Sequence, residues 1–139
     1  MGKDLNTVIC VHRSDGSVRK LSEGLFIDRN RDLFRLLGYG PEPVFDLRGI
    51  PDGAHTTLRR SLGENSNGEM DPDWGWHSWL TSSELQELIA VYESLPPREP
   101  GVRRQIGLGM AATLGAMEAI DETLGKWEGG HAILAYFFT

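Results

Sequence analysis

Near its start the chain carries a β-branched and apolar run, Thr7-Val8-Ile9-Cys10-Val11, then Ser14-Asp15-Gly16-Ser17, then Val18-Arg19-Lys20-Leu21. An Asp-Gly pair between two β-prone runs predicts a β-hairpin. From Arg31 to Leu37, residues Leu33, Phe34 and Leu37 share one helical face, Asp28 or Asn30 can cap the start and Gly38 stops it, which predicts a helix of about two turns. Glycine and proline recur so densely over residues 38–53 that regular structure is excluded. Val44, Phe45, Leu47 and Ile50 nevertheless require burial, so this stretch is expected to wrap the domain as a loop. A short helix is expected over residues 55–62, and the polar stretch 63–73 reads as a loop that tolerates deletion and can respond to a ligand.

Thr81-Ser82-Ser83-Glu84 has the form of a capping box, and Leu85, Leu88, Ile89 and Tyr92 continue one helical face until Pro96-Pro97. Val102, Ile106, Met110, Thr113 or Leu114, Met117, Ile120 and Leu124 then recur every three or four residues, predicting a long helix that Gly125 closes. The same helix carries Gly107, Ala111, Gly115 and Ala119 at intervals of four. Such a smooth stripe seats a helix closely against a sheet or neighbour, or forms a homo-oligomer seam. The final run, His131 to Phe138, is apolar on both alternating faces and is expected as a central strand beside the first. The fold class is therefore α+β, a small antiparallel or mixed sheet from an N-terminal hairpin and a C-terminal strand. Two main helices, at 82–95 and 102–124, and long loops pack on it, in a single domain spanning 1–139.

Composition narrows the function. With 139 residues, 40% hydrophobic and 24% charged, the chain is of ordinary globular make-up. Its net charge of −6 opposes a partner bound through many phosphate contacts, which argues against double-stranded nucleic acid. The single cysteine, Cys10, lies within an apolar run and implies a reducing, cytoplasmic setting. No secretory leader is expected, Asn6 stands where a myristoylation signal needs Ser or Thr, and the apolar stretch 106–120 is short for a membrane span. No cofactor and no metal site is expected, since the four histidines and one cysteine form none of the common zinc spacings. Among the basic residues arginine far outnumbers lysine, which suits a discrete anion pocket or simply reflects genome composition.

The candidate chemistry concentrates at Trp74-Gly75-Trp76-His77-Ser78-Trp79, placed directly before a helix start. Indoles stack on nucleobases, and the N–H groups of Ser82 and Ser83 could receive an anion; equally, Trp74, Trp76 and Trp79 could cover the core. Arg29, Arg31 and Arg35 surround the first helix and either clamp an anion or pair with Asp28 and Asp32. His55-Thr56-Thr57 has the His-x-Thr form used by some phosphoesterases, so a small hydrolase built on His55 and His77 with Asp4 or Asp46 is the enzymatic alternative.

Several segments together resemble a family of small bacteriophage and prophage proteins with no assigned activity. They are Met1-Gly2 with Asp4, Arg29-Asn30-Arg31-Asp32-Leu33-Phe34, Arg48-Gly49-Ile50-Pro51-Asp52, His77-Ser78-Trp79-Leu80-Thr81 with Glu84-Leu85, and the closing Tyr136-Phe137-Phe138. The family commonly opens Met-Gly-Cys-Asp-Ile-His; here Lys3 and Asn6 replace the Cys and the His, which tilts the implied role toward binding. The resemblance brings no activity with it, but together with the small size, the lack of a catalytic constellation and the Trp cluster, arginines and helix start it leads to the expectation of an accessory protein of the host cytoplasm that binds a small anionic ligand, such as a nucleotide immune signal, or a host protein. Its ligand-binding residues would be Trp74, Trp76, His77, Ser78, Trp79, Arg29, Arg31 and Arg48.

Overall fold

A computed structural model describes residues 3–25 and 27–139; Met1 and Gly2 of the expected N-terminal motif lie outside the described residues. The elements follow in the order β1 (Leu5–His12), β2 (Val18–Glu23), α1 (Arg31–Leu37), α2 (Thr56–Ser61), β3 (Gly75–Thr81), α3 (Ser82–Ser94), α4 (Pro100–Trp127) and β4 (His131–Phe138). The four strands form one antiparallel sheet in the order β2-β1-β4-β3, so the last strand to be made is inserted beside the first. The α+β class, the hairpin, the two main helices and the central C-terminal strand are all present as expected.

The sheet is covered on both faces, which is why β4 carries no polar residue after His131. Ala132, Leu134, Tyr136 and Phe138 point toward α1, α3 and α4, where they meet Leu33, Phe34, Leu88, Tyr92, Ile106 and Met117. Ile133, Ala135 and Phe137 point the other way, onto Val8, Cys10, Val18 and the α2 residues Leu58 and Leu62. Cys10 is fully buried there, and burial pushes its thiol up to about 12.

Loop 38–53 wraps around the outer edge of β3, but Leu47, expected to be buried, is 40% exposed. Val44 and Phe45 pack on the helical side, Ile50 packs on the α2 side, and the crossing point lies at Arg48 and Gly49. There Gly49 N donates to His77 O at 3.0 Å and Arg48 N donates to Ser78 Oγ at 3.0 Å. An open strand edge is thereby closed by backbone of the same chain, which removes a site for edge-to-edge association.

Two sequence expectations are corrected. Residues 74–79 are not a loop ahead of a helix: Gly75 onward is strand β3, paired to β4 as Ser78↔Tyr136 and Leu80↔Leu134. Gly125 does not close the long helix, which runs to Trp127; Gly129, at φ 72°, adopts the left-handed turn and its N–H reaches Leu124 O at 2.7 Å. A helix already held by packing on a sheet tolerates one internal glycine, at a cost of about 1 kcal/mol relative to alanine.

Candidate functional site

The register of β3 slips between Gly75 and Ser78, where three steps on β3 match two on β4. This bulge turns Trp74, His77 and Trp79 to one face of the sheet and sends Trp76 to the opposite rim. Trp76 is held at φ 54°, a left-handed conformation that is strained for a bulky side chain. The three tryptophans therefore have three different surroundings. Trp74 lies parallel to Phe137 at 4.7 Å, seated where Gly63 leaves room; a Cβ at Gly63 would come within 2.4 Å of the indole. Trp79 packs on the α2-side core under the guanidinium of Arg48, 4.6 Å away. Trp76 is 42% exposed, edge-on to Tyr39 at 4.8 Å and beneath the ammonium of Lys3 at 5.6 Å.

Most of the expected ligand residues are therefore occupied within the protein. Arg48 forms a two-pronged ion pair with Glu84 and donates to Trp79 O at 3.1 Å. The Arg48 guanidinium holds the Glu84 carboxyl down to about 2. Ser78 is buried, accepting from Arg48 N. His77 lies parallel to Phe137, and its Nε2 is 2.7 Å from the Leu62 carbonyl oxygen, so this nitrogen carries the proton. The start of α3 is filled by its own capping box, and the cleft beside it is lined by Glu118 and Asp121, which oppose an anion at Ser82 and Ser83. Asp121 instead accepts from Ala132 N at 2.6 Å and from Ser82 Oγ.

The hydrolytic set is dispersed. His55 precedes α2 with its N–H on Val18 O, Asp4 pairs with Arg29 at the start of β1, and Asp46 is exposed in the wrapping loop. None of His55, His77, Asp4 or Asp46 lines any of five clefts on the surface. Among the described residues no group of three or more His, Cys, Asp or Glu side chains is placed to hold a metal ion. No described helix is long and apolar enough to cross a membrane.

What the fold does gather is cationic. A cleft of about 460 Å³ lies between the start of β1 and the outer side of α1, lined by Lys3, Arg29, Arg31 and Arg35 around Phe34 and Tyr39. Tyr39 is placed by the left-handed turn at Gly38, which lets Tyr39 N reach Phe34 O at 2.9 Å, and its ring stacks on buried Phe138 at 5.2 Å. Its remaining edge carries Trp76, so an aromatic wall runs from the core to the solvent at this rim.

The charges here are only loosely committed. Arg29 donates to Asp4 at 2.8 Å, with both side chains more than half exposed, and this hydrogen bond keeps the Asp4 carboxyl below its usual range. Arg35 is 3.9 Å from Glu42, whose side chain is 87% exposed. Arg31 is exposed and has no ion-pair partner among the described residues. Across the ridge of Arg29, Asn30 and Arg31 a smaller cleft contains Arg98 and Arg103, but those cations are in use. Arg98 pairs with half-buried Asp32 at 3.3 Å, while Arg103 covers Tyr92 and donates to Leu95 O.

Four cations against the exposed carboxylates of Asp4, Asp28 and Glu42 leave this cleft a net positive spot on a chain of net charge −6. It can bind and orient an anion beside an aromatic face. Its described lining residues include no carboxylate, histidine, cysteine, serine or threonine. Of the residues expected from sequence, Arg29, Arg31 and Arg35 line this cleft, and Trp76 borders it through its contacts with Tyr39 and Lys3. Lys3, Phe34 and Tyr39 were not expected as ligand residues. Comparison with models of known protein families, with curated proteins and with solved structures finds no match to this chain.

Proposed function

We propose that this chain is a binding protein whose cationic cleft captures a small phosphorylated aromatic ligand, a nucleotide signal being the best fit. The observation that carries this reading is the convergence of Lys3, Arg29, Arg31 and Arg35 beside the half-buried ring of Tyr39 and the exposed ring of Trp76. Guanidinium groups engage phosphate oxygens in pairs, and an indole held at the rim supplies a stacking surface worth about 1–3 kcal/mol per base. A strained backbone at an exposed tryptophan is supported by the same reading, because such outliers persist where a side chain must be presented in one direction. With the resemblance to small phage proteins, the biological role would be accessory: withdrawing an immune signal from the host cytoplasm.

The test is a titration of mononucleotides, cyclic dinucleotides and ADP-ribose into the protein, followed by tryptophan fluorescence and by thermal unfolding. A true ligand at a hundredfold excess over its dissociation constant raises stability by about 2.7 kcal/mol. Arg31→Glu and Trp76→Ala should each weaken that ligand by roughly ten- to a hundredfold, and the ligand should be recovered chemically intact. If no nucleotide shifts the melt, the cleft serves a different partner.

A further inference from the structure

The strongest feature left unused by that cleft lies at the opposite end of the molecule. A groove of about 520 Å³ runs between the β1–β2 hairpin and the last turns of α4, walled by Val11, Leu21, Ile120 and Leu124. Its volume is within the range of pockets that hold one large organic group. Leu21 is placed there by a register slip: Ile9 pairs with Ser22 and Cys10 with Lys20, so Leu21 has no partner residue on β1 and is 55% exposed. Beside this groove, Trp127 is 82% exposed, the most exposed large apolar side chain among the described residues. At 100° per residue, Trp127 follows Ile120 by seven positions and so lies within about 20° of it, on the same helical stripe that forms the groove wall. The apolar groove and the exposed indole lie next to each other.

Charge at this end is divided. The hairpin contributes Arg13, Arg19 and Lys20 to the groove rim, while the end of α4 carries Glu122, paired with Lys126 at 3.2 Å, and is capped by Glu128 at the groove. Arg13 already reaches Glu128 of its own chain at 3.4 Å, showing that the two surfaces attract, but Arg19 has no ion-pair partner among the described residues. A two-fold axis near Thr123, with the α4 ends antiparallel, sets Trp127 of one copy over Ile120 of the other. It also lays each basic hairpin against the acidic end of the opposite helix. The pattern is self-complementary, as an isologous dimer requires.

We propose that a second copy of this chain occupies the groove, each protomer inserting Trp127 between the partner's hairpin and α4. Two indoles reciprocally buried, at about 200 Å² each, form the centre of such a contact, and the charged rims fix its register. The area is small, so the dimer is of the weak, reversible class.

The experiment is sedimentation equilibrium of the full chain over a concentration series up to about 100 µM, repeated for three variants. Wild type should show a reversible monomer–dimer equilibrium with a tryptophan emission shift to the blue as dimer forms. Trp127→Ala and Leu21→Glu should each weaken dimerisation at least about tenfold, the first by removing the anchor and the second by placing a charge in the groove. Both positions are exposed, so circular dichroism and melting of the dilute monomer should match wild type. Gly115→Leu, on the exposed small-residue stripe of α4 one turn before Ala119 and outside the groove lining, should leave dimerisation unchanged. A wild type that stays monomeric throughout the series overturns the proposal. So does a dimer that survives both groove variants, or one that only Gly115→Leu disrupts.

Discussion

The guanidinium of Arg48 grips the carboxylate of Glu84 through both nitrogens while its face covers the Trp79 indole at 4.6 Å. The pair joins three segments that are distant in sequence: the wrapping loop, the bulged strand β3 and the start of α3. Glu84 serves two structures at once, since the same Oε1 accepts from Thr81 N at 3.0 Å to complete the capping box. Each half-buried group thus depends on the other for its charge balance. Glu84→Gln and Arg48→Ala should each cost about 2–3 kcal/mol in urea unfolding, and the double variant less than the sum. Arg48→Lys keeps the charge but loses the second prong and the stacked face, so it should recover only part of the loss.

The same pair sets an acid response. Arg48 holds Glu84 at about 2 in the fold against 4.5 for an unperturbed glutamate. Below 4.5 the unfolded chain takes up a proton that the folded chain still refuses, so the pair's contribution is complete above that pH and is lost progressively as pH falls toward 2. Wild type should therefore lose more stability than Glu84→Gln between pH 5 and about 2.5 when both are followed by thermal or urea unfolding.

The tryptophans should separate cleanly. Trp74→Ala removes a ring stacked on Phe137 and leaves a void beside Gly63, costing about 2–4 kcal/mol. Trp76→Gly removes an exposed ring and relieves a left-handed backbone, so it should be neutral or stabilising by up to about 1 kcal/mol. Equal losses from both would contradict the division of the cluster into a core ring and a rim ring.

Gly125→Ala gives a test with opposite signs. As a left-handed helix terminator the glycine would resist substitution, whereas inside α4, where a Cβ would meet nothing within 4 Å, alanine should stabilise by about 0.5–1 kcal/mol.

Cys10 is fully buried and burial pushes its thiol up to about 12, so it should resist thiol reagents in the native protein and react only in step with global unfolding. Rapid native labelling would mean that β1 opens locally from β4.

The small-residue stripe of α4 illustrates the limit of periodicity. Gly107, Ala111, Gly115 and Ala119 do share a face, but that face turns outward: Ala111, Gly115 and Ala119 are exposed, and a Cβ at Gly107 or Gly115 would meet nothing within 4 Å. Spacing fixes which residues lie together on a helix. Which side of the helix meets the sheet depends on where the bulk lies, and Ile106, Met110, Thr113 and Met117 decide it.

The sequence by itself determined every element whose signal is local. The Asp-Gly turn between β-branched runs marks the hairpin, Gly38 ends α1, Thr81 and Glu84 start α3, the three-to-four spacing of apolar residues makes α4, and a run apolar on both faces puts β4 at the centre. Strand β3 was hidden because the extra residue at Trp76 breaks the two-residue period, and its pairing partner lies more than fifty residues further along the chain. The cleft was hidden for a related reason. Lys3, Arg31 and Tyr39 become neighbours only when α1 packs beside the start of β1, and the energy that places them comes from Phe34 and Phe138 rather than from the charges themselves. Likewise nothing local distinguishes Arg48, which is locked to a carboxylate 36 positions away, from Arg31, which faces solvent. A charged side chain takes its role from the surface onto which the apolar residues fold it, and that surface exists only in the tertiary structure.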